Sequence, residues 1–375
     1  MHILLLTSSY KSEFNTVSAL FFRDQALALK NNKMQVGVIC PLPISLKAVW
    51  QRKSINFNDE EYNDNGIYTH VSPFLSIPKW FERSQKIRLS LGKQMFKKYI
   101  ANNGKPDIVH VHSFLIGELA LWIKENYSIP FVITEHSTGF SRKIYSQKTV
   151  NFAKKVFENS KACIAVSEPF CNLLSDLFKV SFQYIPNVVD TSFFTLKQKS
   201  DSDEFIFLNI GHLDKKKNQA GLIKSFSNLF NGNQKYQLKI VGQGIEFTAL
   251  QHLINELKIN NQVHLLGKKS REEVKEIIHS SDCFVLASKF ETFGVVLIEA
   301  MSCGLSVLST KSGGPESIIA NDALGILCEH EELEKGLMEI TKKKFDSKLI
   351  RDYVINNFSE NVIFKKLYKI YKNEY

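Results

Sequence analysis

Two glutamates lie on either side of a glycine turn in the segment 288–316, which reads SKFETFGVVLIEAMSCGLSVLSTKSGGPE. Glu291 precedes the turn, and Glu299 falls inside a helix that the apolar spacing predicts from Val295. The first amides of that helix, near Gly294, have no partner within the helix and lie at the positive end of its dipole. Such amides bind phosphates or sugar hydroxyls. The segment therefore predicts a ligand site with two carboxylates beside it.

Short apolar runs predict the strands that must position this turn. Residues 283–287 form a run typical of a buried parallel strand, and residues 305–308 form the next one. Gly304 is the expected stop of the helix between them. A second glycine turn, residues 312–316, predicts another helix with Pro315 at its first position. Two helix N-termini at the carboxyl ends of parallel strands are where open α/β sheets bind ligands.

This segment resembles the Glu-x7-Glu signature of family 4 glycosyltransferases, which have the GT-B architecture. Three positions, Thr292, Ser302 and Ser306, depart from the usual Gly, Ala and Pro. The resemblance implies an α/β fold of two doubly wound Rossmann-like domains that face a central cleft. It also implies a nucleotide-sugar donor, a UDP- or GDP-sugar, with no cofactor and no metal. The matching residues are Glu291, Phe293, Gly294, Glu299, Ala300, Met301, Gly304, Val307, Gly313, Gly314 and Glu316.

Further turns in the second half resemble the donor site of the same family. Lys217 matches the lysine of the family's G-R-L-x-x-x-K motif, whose basic residues hold the diphosphate, whereas His212 replaces the arginine. That replacement removes a guanidinium and supplies less charge at neutral pH. Gly267 and Lys268 follow a predicted strand at the turn where the family packs the nucleotide base. The donor-binding residues that the resemblance implies are Gly211, His212, Lys217, Gly267, Lys268, Phe293, Gly294, Val295 and Glu299.

Two predicted strands of the first half, residues 107–111 and 131–134, lead directly into histidines. Parallel strands would bring His112 and His136 to one edge of the sheet, but their spacing does not suit a metal. Thr-Glu-His resembles the family's strand-end histidine near the donor sugar, which implies a site role for His136 and an acceptor-side or sugar-side role for His112. Where the family often has Gly-Gly after the first strand, this chain has Ser18 as an acceptor-side candidate.

The resemblance implies retaining transfer of a hexosyl unit to a glycan or polyprenyl-linked acceptor, in cell-surface polysaccharide biosynthesis. The catalytic residues would be Glu291, His136 and Lys217. Lys217 would stabilise the departing diphosphate, Glu299 would accept hydrogen bonds from the ribose, and Glu291 would hold the donor sugar or its developing positive charge. Two alternatives stay open: a nucleotide-sugar 2-epimerase of the same fold, and a non-catalytic partner subunit of an active transferase, which His212 supports.

Length and motif order predict two domains in the 375 residues. We expect an acceptor-side domain at 1–190 and a nucleotide-sugar-binding domain at 191–357, joined by a polar linker. A helix at 358–375 resembles the one that crosses back onto the first domain in GT-B enzymes. Within the first domain the pattern predicts a strand at 35–39, a loop-rich stretch after it, and a flexible acidic turn at 58–65.

The net positive charge is concentrated in the first domain, where 23 Lys and Arg stand against 15 Asp and Glu, compared with 25 against 23 in the remainder. Residues 80–100 predict a basic amphipathic helix, and such helices can lie on anionic membranes. An ordinary solvated helix face is the alternative. No nucleic-acid motif is present, so no nucleic-acid partner is expected. The six cations of this helix are Arg83, Lys86, Arg88, Lys93, Lys97 and Lys98.

The remaining signals concern compartment and metals. The first apolar run ends at Thr7, far short of a signal peptide or membrane span. We therefore expect a cytoplasmic protein, with peripheral contact at the inner face of the cytoplasmic membrane through the basic helix. The six cysteines form no CxxC pair and predict free buried thiols. Asp201-Ser202-Asp203 fits an Asp-x-Asp metal motif but precedes a strand, so we expect it to be solvated.

Overall fold

The computed structural model of the chain describes residues 1–12, 20–46, 57–77, 81–196 and 203–374. These residues divide into two α/β units. The first comprises Met1–Val166, Cys171–Val188 and Glu360–Tyr375. The second comprises Ser167–Phe170 and Val189–Ser359.

The first unit is built on an eight-stranded sheet in the order β3-β4-β2-β1-β5-β6-β7-β8. All neighbouring strands are parallel except β3 and β4. The strands are His2–Leu6 (β1), Gln35–Ser45 (β2), Glu60–Asp64 (β3), Ile67–Ser76 (β4), Ile108–His112 (β5), Phe131–Glu135 (β6), Ala162–Ala165 (β7) and Phe182–Tyr184 (β8). The helices are Leu20–Asn31 (α1), Phe81–Asn103 (α2), Gly117–Tyr127 (α3), Gln147–Asn159 (α4) and Glu168–Phe178 (α5), of which α5 has its first three residues in the second unit. Every residue of β1, β5 and β6 is buried, as expected for a parallel sheet covered on both faces.

Two predictions about the outer strands of this sheet are wrong for the described residues; residues 47–54 of the predicted loop-rich stretch lie outside them. Strand β2 continues beyond Ile39 through Pro41 and Pro43, because after Ile39 it pairs only with β4 and its other edge no longer needs amide donors. The stretch predicted as an acidic flexible turn instead forms β3, which pairs with β4 in a hairpin. Asn65 and Gly66 connect the two strands, both with positive φ, which is the backbone that a tight two-residue hairpin turn requires.

The predicted basic helix is α2, but its cations do not all face the solvent. Arg88 is buried, and its guanidinium donates to the carbonyl of Leu115 at 2.7 Å. Burial lowers the pKa of Arg88 to about 10. The apolar side of α2 belongs to the core, with Met95, Phe96 and Tyr99 all buried. The prediction that all six cations lie on a basic face of the helix is therefore wrong for Arg88, and the apolar side of the helix is part of the core.

The second unit contains a six-stranded parallel sheet in the order β11-β10-β9-β12-β13-β14. Its strands are Phe205–Ile210 (β9), Tyr236–Val241 (β10), Val263–Gly267 (β11), Cys283–Leu286 (β12), Ser306–Thr310 (β13) and Gly325–Cys328 (β14). Its helices are Gln219–Phe230 (α6), Phe247–Glu256 (α7), Arg271–His279 (α8), Val295–Ser302 (α9), Leu333–Ile340 (α10) and Ser347–Phe358 (α11). The strand order reverses between β9 and β12, and such a reversal marks the ligand crevice of a doubly wound sheet.

The predicted C-terminal helix is interrupted at Ser359, which is extended. Phe358 ends α11 in the second unit, and the last helix, Glu360–Lys372 (α12), belongs to the first. Ile363, Leu367 and Ile370 of α12 join the core of the first unit. Other local predictions are confirmed: Ser270 and Glu273 form a capping box at α8, and all six cysteines are free and buried.

Candidate functional site

The two loops that carry Lys217 and Glu291 lie at the point where the strand order of the second unit reverses. Strand β9 leads into Gly211 and the turn that carries Lys217, whereas β12 leads into the loop that carries Glu291. The backbone amide of Lys289 donates to the carbonyl of Lys216 at 2.7 Å, which joins the two loops. Lys217 and Glu291, 74 positions apart in the sequence, are therefore neighbours at the carboxyl edge of the sheet.

Lys217 and Glu291 form an ion pair at this edge, between Nζ and Oε1. Their side chains are only 17% and 10% exposed. The same carboxylate oxygen accepts a hydrogen bond from the Ser288 hydroxyl at 2.9 Å. Asp214 fixes the turn that carries Lys217, since its carboxylate accepts hydrogen bonds from the Lys216 and Lys217 amides at 3.2 Å. The pair is thus fixed by contacts on both of its loops.

The N-terminus of α9 lies beside this pair. Gly294 precedes the helix with φ of +103°, a conformation that favours glycine, and no side chain caps the first amides. On α9, Val295, Val296 and Glu299 are partly exposed, whereas Leu297 and Ile298 are buried. Glu299 therefore shares the accessible face of the helix with its first turn. This combination suits a ligand that offers both an anion and hydroxyl groups.

The second glycine turn packs directly against the first. The amide of Glu291 donates to the Ser312 carbonyl at 2.9 Å, and the Gly313 amide donates to both carboxylate oxygens of Glu316 at 3.0 Å. A Cβ on Gly314 would lie 2.4 Å from the backbone of Phe293, so only glycine fits there. The helix predicted from Pro315 is a single 3₁₀ turn over Pro315–Ser317.

The other predicted donor-site residues lie around the same edge. Phe293 is buried and packs edge-on against Phe358, so it supports the turn from inside. His212 is exposed immediately after Gly211. Gly267 has φ of +70° at the end of β11 and its carbonyl accepts from the Gly242 amide at 2.9 Å, with Lys268 exposed next to it.

In the first unit, the strand order reverses between β1 and β5, and the two predicted histidines meet at this reversal. His112 Nδ1 lies 3.1 Å from His136 Nε2. His110, two residues earlier on β5, stacks on His112 with a centroid distance of 4.5 Å. Burial lowers the pKa of His110 and of His136 to about 3 and lowers that of His112 as well. All three rings are therefore neutral at physiological pH.

The loop after His136 is organised by Glu135, which is fully buried. Its carboxylate accepts hydrogen bonds from the amides of Phe114, His136 and Ser137 at 2.8–2.9 Å. Burial raises the pKa of Glu135. This glutamate holds the histidine loop in place through backbone contacts.

Some predicted residues lie outside the described part of the chain. Ser18, the acceptor-side candidate, falls in 13–19, and Asp201 of the Asp-x-Asp motif falls in 197–202. Among the residues that the structure describes, no group of three or more His, Cys, Asp or Glu could hold a metal ion. Within the same described ranges, no helix has the length and apolarity needed to cross a membrane.

Several residues that shape the carboxyl edges of the two sheets were not predicted from the sequence. Asp214 had a usable signal, because an aspartate directly before a short helical turn is a common N-cap. Ser288 had none, since a serine three residues before a glutamate is unremarkable. His110 and Tyr371 are hydrogen-bonded at 2.7 Å although 261 residues separate them, and no local pattern predicts such a contact.

Two protein-family models match nearly the whole chain. The model of glycosyl transferases group 1 matches residues 192–357, and that of glycosyltransferase family 4 matches residues 20–193. The chain therefore belongs to the family 4, group 1 glycosyltransferases, as its motifs predict. The GT-B fold class, with two α/β units built on parallel sheets, is confirmed as well.

Individual relatives are distant. N-acetyl-alpha-D-glucosaminyl L-malate synthase of Bacillus anthracis is 27% identical over 64% of this chain and 65% of its own length. The phosphatidylinositol N-acetylglucosaminyltransferase GPI3 subunit of Saccharomyces cerevisiae is 25% identical over 64% of this chain and 57% of its own length. The match thus spans less than two thirds of either relative.

Solved structures match both units of the fold. Sucrose-phosphate synthase from Thermosynechococcus elongatus superposes with a TM-score of 0.80 at 20% identity, covering 100% of this chain and 99% of that one. Anabaena HepE in complex with UDP-glucose superposes with a TM-score of 0.72 at 18% identity, covering 100% of both chains. At these identities the likeness shows the fold alone.

Proposed function

We propose that the chain is a retaining glycosyltransferase that transfers a hexosyl unit from a UDP- or GDP-sugar to a glycan or polyprenyl-linked acceptor. The observation that carries this proposal is the Lys217–Glu291 pair beside the uncapped N-terminus of α9, where the strand order reverses. A cation, helix amides without a side-chain cap and a neighbouring carboxylate together support the binding of a diphosphate with its sugar. The proposed pathway is cell-surface polysaccharide biosynthesis.

The proposed mechanism assigns one role to each group. Cleavage of the sugar–phosphate bond leaves negative charge on the diphosphate, and Lys217 with the amides near Gly294 stabilises that charge. Glu299 accepts hydrogen bonds from the ribose hydroxyls. Glu291 binds the donor sugar or its developing positive charge. The acceptor hydroxyl attacks from the face that the diphosphate leaves and passes its proton to the departing phosphate oxygen. No covalent nucleophile on the protein is needed.

Because Lys217 and Glu291 are paired, binding of the donor would replace the contact between them with contacts to the donor. Without ligand, Lys217 neutralises a carboxylate that is only 10% exposed. A bound diphosphate would compete with Glu291 for the ammonium group, and a sugar hydroxyl would then donate to the carboxylate in place of the lysine. Because both partners are already held in position, little side-chain ordering is left to do when the donor binds.

The remaining assignments follow the family resemblance. Gly267 and Lys268 are proposed to lie near the nucleotide base, and His212 stands where the family has an arginine. His136 is proposed to bind a sugar hydroxyl as a neutral imidazole. Activity is proposed to be independent of metal ions: turnover should persist in EDTA, and loss with rescue by manganese would contradict this.

Peripheral membrane contact is proposed through one face of α2. Arg83, Lys86 and Lys97 are exposed and, at about 100° per residue, lie within about 60° of one another around the helix. Lys98 is paired with Glu61, and Lys93 lies over the Trp122 ring. The proposed contact is therefore electrostatic, and it would place the protein at the inner face of the cytoplasmic membrane.

Mass spectrometry of a donor incubated with a lipid-linked acceptor extract distinguishes the proposal from its alternatives. A glycosylated acceptor with release of nucleoside diphosphate supports transfer. An isomerised donor supports a 2-epimerase, and an unchanged donor across UDP- and GDP-sugars supports a non-catalytic partner subunit. The Glu291→Gln variant should form no product, whereas Glu272→Gln, an exposed glutamate on α8, should behave as the wild type.

A further inference from the structure

Three histidines of the first unit form a connected array that reaches from the sheet edge to the C-terminal helix. His110 and His112 stack with an interplanar angle of 21°, and His112 Nδ1 lies 3.1 Å from His136 Nε2. At the other end, His110 Nδ1 lies 2.7 Å from the hydroxyl of Tyr371 on α12. His110, His112 and Tyr371 are buried almost completely, so water does not compete for these contacts.

The neighbours of His110 define its protonation. The Gln25 amide nitrogen lies 3.3 Å from Nδ1 and can only donate, so Nδ1 is an acceptor. A neutral imidazole carries one N–H, which must then be on Nε2 and donate to the Thr134 hydroxyl at 2.7 Å. The Tyr371 hydroxyl donates to Nδ1, and burial raises the pKa of this phenol, which keeps it protonated.

The contact between the other two rings links their tautomers. One ring must donate to the other, because each neutral imidazole has a single N–H. His112 Nε2 is buried and has no hydrogen-bond partner among the described residues. A buried N–H without a partner is rarer than an acceptor without one. His112 therefore carries its proton on Nδ1 and donates to His136 Nε2, which leaves the His136 proton on Nδ1.

We propose a histidine relay in which His112 is a positioning residue that holds His136 in its Nδ1–H tautomer. Tyr371 and His110 are positioning residues that orient the His112 ring, because Tyr371 is hydrogen-bonded to His110 and His110 stacks on His112. The functional consequence rests on the proposed role of His136 in sugar transfer, whereas the tautomer itself does not. The last helix of the first unit, α12, supplies the hydroxyl that fixes the innermost ring.

Ring-nitrogen NMR of histidine-labelled protein at pH 7 tests the relay directly, with the His136 signal assigned by its loss in His136→Gln. The wild type should show His136 as Nδ1–H alone. His112→Leu removes the donor and should give a mixture of tautomers, whereas His112→Asn keeps a polar group near the position of Nδ1 and should restore a single one. Tyr371→Phe should broaden or shift the His110 and His112 signals, and Tyr368→Phe on the same helix should change nothing.

Kinetics provide the second readout. His112→Leu should lower kcat about tenfold, as expected for the loss of one hydrogen bond, with the donor KM unchanged and with recovery in His112→Asn. An unaltered His136 tautomer in His112→Leu, or unaltered His110 and His112 signals in Tyr371→Phe, would overturn the relay. A changed tautomer with unchanged turnover would support the relay and contradict instead the proposed role of His136 in transfer.

Discussion

The Lys217–Glu291 pair permits a quantitative test by a double-mutant cycle. Lys217→Met and Glu291→Gln each remove one charge while keeping most of the side-chain volume. Each single variant leaves the other charge mostly buried with no charged partner in this pair, and Ser288 alone cannot neutralise Glu291. The double variant removes both charges, so it should be less destabilised than the two single variants together.

The magnitude follows from the burial of the pair. Removing one partner of a fully buried pair costs about 3–5 kcal/mol. Because Lys217 is 17% exposed and Glu291 10%, solvent relieves part of this cost, and we expect about 2 kcal/mol for each single variant. The double variant should then lose about 2–3 kcal/mol, which corresponds to a coupling free energy of about 1–2 kcal/mol.

Urea denaturation of the four proteins measures this coupling. Lys224→Met on α6 is the matched control, because Lys224 is exposed; its free energy of unfolding should change by less than about 0.5 kcal/mol. Additivity of the two single variants within about 0.5 kcal/mol would refute the pair. The functional role is separated by adding UDP or GDP: if Lys217 binds the diphosphate, ligand should raise the Tm of Lys217→Met much less than that of wild type. An equal rise would make the lysine purely structural.

Three further predictions concern other parts of the molecule. Glu299→Ala should raise the donor KM by roughly 10-fold or more, since a charge-assisted hydrogen bond is worth about 1.5–3 kcal/mol; unchanged donor affinity would remove Glu299 from the ribose site. Reversal of Arg83, Lys86 and Lys97 to Glu should abolish sedimentation with anionic liposomes at low salt and leave donor binding intact; wild type that ignores such liposomes would contradict the membrane contact. Burial lowers the pKa of His110 from 6.5 to about 3. Below pH 6.5 the unfolded chain therefore binds a proton that the folded chain does not, and the free energy of unfolding decreases as the pH is lowered. Between pH 7 and pH 5 this histidine should lower the free energy of unfolding by about 2 kcal/mol. Urea denaturation should show a smaller loss in His110→Gln, and an equal pH dependence in both proteins would contradict the prediction.

The motif-rich edge of the second unit was predictable because its signals are local. Apolar runs defined β12 and β13, Gly304 marked the end of α9, and Ser270 with Glu273 marked the start of α8. Each of these signals acts within a few residues, where turn and cap preferences decide the backbone. The close approach of Lys217 to Glu291 was not predicted, because it depends on the neighbouring positions of β9 and β12 in the sheet.

The outer strands and the basic helix were harder to predict, for different reasons. Pro41 and Pro43 suggested a loop, but prolines are tolerated where a strand has lost one neighbour. The Asn65-Gly66 turn was a usable hairpin signal that the acidic composition around it obscured. In the sequence, Arg88 is one of six similar cations. Only the packing of α2 against the rest of its unit shows that this side chain is buried.

The most direct test of the central claim is hydrogen–deuterium exchange of the wild-type protein with and without UDP, GDP or ADP. If the second unit holds the nucleotide as proposed, one of the three should slow exchange in peptides that cover 211–217 and 291–299. The amides of Gly294 and Val295, which the helix itself leaves unpaired, should account for much of the effect. Lys217→Met should weaken this protection at the same nucleotide concentration. Protection confined to other peptides, or none with any of the three nucleotides, would contradict the account.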